Sequence, residues 1–146
     1  MAYLLDSNCF LRLAEAGSSQ RIIVLDAVRK LRSDNETLYY TPQILAEFWN
    51  VCTRPSSARG GLGLTVAQTE RKVKLIEKYF RLLPDNLATF IQWRHLVSDL
   101  QIKGVQVHDA KIAASMIAYN ILNLVTFNEQ DFQRFSMISV KNPVQI

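Results

Sequence analysis

The chain has 146 residues, 49% of them hydrophobic and 21% charged. That length and balance suit one ordinary folded domain spanning 1–146, and they exclude a disordered polymer. Five Gly and four Pro exclude collagen-like and low-complexity classes, and a net charge of +4 permits an anionic partner without requiring one. Cys9 and Cys52 lie in apolar segments without C-x-x-C spacing, which predicts buried thiols in a reducing compartment.

The elements follow in chain order. Tyr3-Leu4-Leu5 reads as a buried strand ending at Asp6. Asn8 to Ala16 carries apolar residues at helical spacing and stops at Gly17. Gln20 to Arg32 is a second helix, with Ile22, Ile23, Leu25, Val28 and Leu31 on one side. Leu38 to Thr41 is β-rich, and Pro42 suits the first turn of a helix that should run to about Arg54, where Pro55 ends it.

Residues 56–63 read as a mobile surface loop, because the glycines there lack the Lys-Ser/Thr of a P-loop. Thr65 looks like an N-cap for a helix to about Leu83. Another helix follows Pro84-Asp85-Asn86 and runs to about Leu100. Gly104 to Val107 is a strand or turn, and Asp109 to Asn120 an Ala-rich helix. A strand is expected at Leu122 to Thr126, a short helix at Glu129 to Phe135 and a last strand at Ile138 to Val140. Strands alternating with helices predict an α/β/α sandwich around a mainly parallel sheet of about five strands.

The N-terminus has no basic region and Asp6 breaks its apolar run, which argues against a secretory signal. The most apolar stretch, 112–127, is too short to span a bilayer, so a cytoplasmic location is the default.

Several acids stand where a fold does not need them. Asp6 directly follows the first strand. Glu47 falls about 40° from Val51 on a helical projection, at the border of an apolar face. Asp109 precedes Ile112 and Ala113 by three and four residues, so it shares their buried stripe. Asn128 and Asp131 follow the strand ending at Thr126. Each has an ordinary explanation as a cap, a turn residue or a solvated acid. Their shared position is more telling: all fall at the carboxyl edge of a parallel sheet, where open α/β folds bind ligands. Oxygen donors without His or Cys select a hard cation, Mg²⁺ or Mn²⁺, and such ions handle phosphoryl groups. With four acids committed there, 17 basic residues face 9 acidic ones over the remaining surface. Arg54, Arg59, Arg71, Lys72 and Lys74 then offer contacts to a polyanion's backbone, or simply a solvated helix face. Two histidines, with no Cys/His spacing, disfavour zinc.

The stretches YLLDSN (3–8), TPQILAEFWNVCTRP (41–55), VHDAKIAASM (107–116) and LVTFNEQDF (124–132) resemble the motifs of PIN domains. More narrowly, they are similar to the VapC-type toxin ribonucleases of bacterial toxin–antitoxin modules. The resemblance covers nearly the whole chain. It implies a metal-dependent endoribonuclease in which Asp6, Glu47 and Asp109 hold Mg²⁺ or Mn²⁺. Asn128 falls where many members carry a fourth acid, a departure that bears on a second metal, and Asp131 is the nearby acid other members have. Ser7 matches a hydroxyl residue that supports metal-bound water. It further implies an RNA substrate, an antitoxin partner and a homodimer, with the apolar helices 65–83 and 86–100 able to supply the contact.

Two other readings compete. His108-Asp109, with His95 and Asp131, would centre an HD-type phosphohydrolase in an all-helical fold. An inactive scaffold that binds RNA or protein would treat Asn128 as a sign of decay.

Overall fold

The computed structural model describes all residues, 1–146. Five strands form one sheet: β1 (Ala2–Leu5), β2 (Thr37–Tyr40), β3 (Arg81–Leu82), β4 (Asn123–Val125) and β5 (Ser139–Lys141). Six α-helices connect them: α1 (Ser7–Ala14), α2 (Gln20–Ser33), α3 (Pro42–Thr53), α4 (Val66–Tyr79), α5 (Leu87–Asp99) and α6 (Gln106–Ala118). Short 3-10 turns cover Glu129–Phe132 and Pro143–Gln145.

Every pairing is parallel, in the order β3-β2-β1-β4-β5. Parallel strands are covered on both faces, so they read as unbroken apolar runs. Tyr3-Leu4-Leu5 and Leu124-Val125 are such runs, and all five residues are buried. Helices supply the rest of the core through Phe10, Val24, Ile44, Phe48, Ile112 and Met116. The chain leaves β1 toward β2 and β3 on one side, and returns to β4 and β5 on the other. The direction reverses between β1 and β4, which opens a crevice at their carboxyl ends. No helix is long and apolar enough to cross a membrane.

Local chemistry sets the boundaries. Thr41 accepts from the Ile44 N–H (3.2 Å) and Pro42 fills the first helical position of α3. Thr65 with Gln68, and Asn86 with Thr89, form capping boxes on α4 and α5. Cys9 and Cys52 are buried free thiols, as expected.

Three departures have identifiable causes. The helix expected to reach Leu83 ends at Tyr79, and Arg81 and Leu82 pair with Tyr39 and Tyr40 as the edge strand β3. Both residues are exposed, so no apolar run advertised the strand. Gly104 and Val105 form a turn, one of the two forms expected there, but α6 already begins at Gln106, three residues ahead of the expected Asp109, since no proline or side-chain cap fixes its start. The segment 56–63 folds back on α3: the N–H groups of Leu62, Gly63 and Leu64 donate to the carbonyls of Val51, Arg54 and Cys52 (2.8–3.0 Å). The free carbonyls at a helix end supply those acceptors. Gly61 permits the approach, since a Cβ there would lie 2.4 Å from the Pro55 carbonyl oxygen.

Candidate active site at the carboxyl edge

Asp6 sits at the crevice between β1 and β4 and caps α1. It is only 5% exposed. One carboxylate oxygen accepts from the Ser7 N–H (2.7 Å). The other accepts from the Thr126 hydroxyl (2.8 Å) and the Asn8 side-chain amide (3.2 Å). Thr126 uses its full hydroxyl capacity, because its oxygen also accepts from Asn8 Nδ2 and the Asn128 N–H, both at 3.0 Å. Asn8 Oδ1 accepts from the Phe127 N–H (3.3 Å), which ties the segment after β1 to the segment after β4.

Glu47 reaches the same edge from the second turn of α3. Its Oε2 accepts from the Ser7 hydroxyl (3.0 Å) and its Oε1 from Gln43 Nε2 (2.9 Å). The Gln43 amide donates a further bond to the His108 carbonyl (2.9 Å), one residue before Asp109. Asp109 lies in the first turn of α6. Asp131 lies in the 3-10 turn that follows Asn128.

The electrostatics show that these acids share a field. Burial pushes Asp6 up from 3.8 to about 6; hydrogen bonds from Thr126 and Ser7 oppose the rise, and the Glu47 charge adds to it. Asp109 also rises to about 6, first through burial, then through the charges of Asp131, Asp6 and Glu47, with the neighbouring His108 opposing the rise. No Lys or Arg neutralises the group. The ion pairs of the molecule are Met1 with Glu36, Arg12 with Glu15, Arg29 with Asp26, Lys30 with Asp34 and Lys111 with Asp85. The cluster is therefore acidic, oxygen-only and without a Lys or Arg partner. Its side chains do not form a closed cage, since no three His, Cys, Asp or Glu side chains stand close enough to ligate one ion between them.

Asp6, Ser7 and Glu47 are thus linked directly, and Asp109 and Asp131 join them through the field. Arg54 and Arg59 stand elsewhere. Arg54 is the C-cap of α3, seven residues and roughly 10 Å along the axis from Glu47, and its guanidinium donates to the Arg59 carbonyl (3.0 Å). Three contributors escaped sequence reasoning: Asn8, Gln43 and Thr126. Thr126 carries no distinguishing signal, because a buried Thr at a strand end is also an ordinary β-former. Replacing Thr126 by Val will destabilise the protein by about 2 kcal/mol at neutral pH, since a buried carboxylate loses a donor. Urea unfolding measures this, and an unchanged midpoint would refute the role given to the hydroxyl.

The HD-type alternative fails on architecture. It requires an all-helical fold, and this chain builds a five-stranded parallel sheet. His95 is exposed on α5, and His108 engages Gln43 through its main-chain carbonyl.

Comparison with known proteins agrees with the geometry. No curated protein sequence matches the chain. Among solved structures, VapBC2 from Rickettsia felis, bound to a fragment of promoter DNA, superposes with a TM-score of 0.72 at 20% identity, covering 97% of this chain and 98% of that one. VapBC-1 from nontypeable Haemophilus influenzae gives 0.71 at 20% identity, covering 98% of each. VapC20 of Mycobacterium tuberculosis, a toxin that cleaves the sarcin-ricin loop, gives 0.59 at 15% identity over 88% of this chain and 92% of that one. At these identities the likeness is one of fold. The profile of the PIN domain matches residues 3–136, and with that match over most of its length the chain belongs to the PIN domain family.

Proposed function

We propose that this chain is a divalent-cation-dependent endoribonuclease acting as the toxin of a toxin–antitoxin pair. The observation that supports it most is the carboxylate cluster, without a Lys or Arg partner, at the switch point of the sheet. Acids that raise each other's pKa without a basic partner destabilise a fold unless a ligand uses them. The oxygen-only donor set fits Mg²⁺ or Mn²⁺. Mg²⁺ keeps several of its waters and takes only one or two carboxylates, so an open arrangement suits a hydrated ion better than a stripped one.

Asp6 and Asp109 hold the ion in this reading. Glu47, oriented by Ser7, helps to hold it or aligns the attacking water. Asp131 and Asn128 position the substrate or a second ion. When bound, the cation supplies a Lewis acid for the scissile phosphate and a water acidic enough to attack at neutral pH. Arg54 and Arg59, displaced along α3, hold the RNA backbone beyond the cleavage point. A cognate antitoxin, a homodimer and a cytoplasmic location complete the proposal. The structural neighbours are described as VapBC toxin–antitoxin proteins, and Leu87, Phe90 and Ile91 form an exposed apolar stripe on α5.

The decisive test is cleavage of structured and single-stranded RNAs with Mg²⁺ or Mn²⁺, with and without EDTA. Cleavage that requires the ion is expected. An absence of cleavage together with no Mn²⁺-dependent rise in melting temperature would favour an inactive scaffold, since a ligand specific to the native state must stabilise it.

A further inference from the structure

Resting on the cation site just described, we propose that Gln43 is a positioning residue, which locks the Glu47 carboxylate to the first turn of α6 and so sets the spacing of the acids around the ion.

Gln43 and Glu47 lie four residues apart, on one face of α3. Nε2 of Gln43 donates to Glu47 Oε1 and to the His108 carbonyl, both at 2.9 Å. Both partners are acceptors, so the orientation of the amide follows from its neighbours. Its two N–H protons are fully used. The bond to His108 is the one hydrogen bond joining α3 to α6, and it lands on the residue before Asp109. One amide therefore fixes the distance between the α3 acid and the α6 acid.

The other end of the side chain excludes a purely stabilising purpose. Gln43 Oε1 is buried and has no hydrogen-bond donor. Leaving a buried acceptor unmet costs about what a net hydrogen bond contributes, so the residue gains little for the fold. What it gains is a fixed geometry at a place where two carboxylates would otherwise separate. Ser7 holds the opposite oxygen of Glu47, so the carboxylate is pinned from both sides.

Gln43→Met tests this, because Met keeps the length and loses both bonds. Mn²⁺ binding is followed by the loss of the free-ion electron paramagnetic resonance signal, and melting is measured in EDTA. Weakening of the Mn²⁺ dissociation constant by about tenfold is expected, with a metal-free melting temperature within a few degrees of the parent. Gln43→Asn keeps the amide but is too short to span both acceptors, so it should weaken binding similarly, and it serves if the Met variant folds poorly. In a Glu47→Gln background Gln43→Met should have little further effect, because the residue acts through Glu47. Unchanged Mn²⁺ affinity in folded Gln43 variants overturns the proposal. So does an undiminished effect without Glu47, or a large fall in metal-free melting temperature. If the parent protein takes up no Mn²⁺, the cation site itself fails, and the positioning role falls with it.

Discussion

Asp6→Asn is expected to make the metal-free protein more stable while removing its nuclease activity. Asp6 is 95% hidden from solvent, and burial lifts its pKa from 3.8 to about 6. Holding that carboxylate ionised at neutral pH costs about 3 kcal/mol relative to the unfolded chain. Asn removes the charge. It keeps an oxygen for the Thr126 hydroxyl and the Asn8 side-chain amide, but its new amide meets the Ser7 N–H, donor against donor, where Asp6 accepted a 2.7 Å bond. That mismatch returns about 1–2 kcal/mol. The balance is a gain of about 1–2 kcal/mol, a rise of roughly 2–8 °C in melting temperature in EDTA for a chain of this size. Cleavage should fall by more than about 100-fold, because a group placed on the ion matters at least as much as one that merely supports a ligand. Asp109→Asn should lose cleavage comparably. Cleavage retained by either variant removes that residue from the catalytic group. A lowered melting temperature for Asp6→Asn would show that its three donors outweigh its burial.

This opposition between stability and function explains what could be read from the sequence. The fold was legible because it rests on repeated local signals. Apolar runs at Tyr3–Leu5 and Leu124–Val125, the Thr41-Pro42 start and the Thr65 and Asn86 caps all agree with the sheet and helices they produce. β3 was hidden because two exposed edge residues bury nothing and show no period. The anchoring of residues 56–63 was hidden because it runs through main-chain hydrogen bonds, which glycines permit but do not announce. The acids were visible as local anomalies, since Asp6 and Asp109 sit where burial penalises a charge and Glu47 stands at the border of an apolar face. Their partners were not. Asn8, Gln43 and Thr126 are unremarkable where they occur in the sequence, and they acquire meaning only when 118 residues of chain return to place Thr126 beside Asn8. The basic residues fared differently again. Charge alone grouped Arg54 and Arg59 with the site, and Arg54 gives one of its five N–H donors to the Arg59 carbonyl, which holds the two together at the end of α3.

The same two acids predict an inverted pH response that a bound cation should correct. A carboxyl whose folded pKa lies above its unfolded value binds more protons in the native state, so its contribution is greatest below the unfolded pKa and is lost as pH rises through the folded one. For Asp6 and Asp109 that window runs from 3.8 to about 6. Asp6 alone makes the metal-free protein about 1.4 kcal/mol more stable at pH 5 than at pH 7.5. Asp109 acts in the same direction, though it is only partly buried, and solvent screens its share. Melting in EDTA should therefore occur several degrees higher at pH 5 than at pH 7.5. Adding Mn²⁺ should remove most of that difference. At pH 7.5 both carboxylates are ionised, and an ion at 100 times its dissociation constant adds about 2.7 kcal/mol. At pH 5 the ion must displace protons held at a pKa of about 6, so each displaced proton weakens apparent binding by roughly tenfold. Melting curves at the two pH values, with EDTA and with Mn²⁺, measure both effects. A metal-free protein that is steadier at pH 7.5 would mean that Asp6 is ionised without strain. A Mn²⁺ shift of equal size at both pH values would mean that the ion binds somewhere other than on these two acids, because only groups that carry protons at pH 5 make a cation compete for its place.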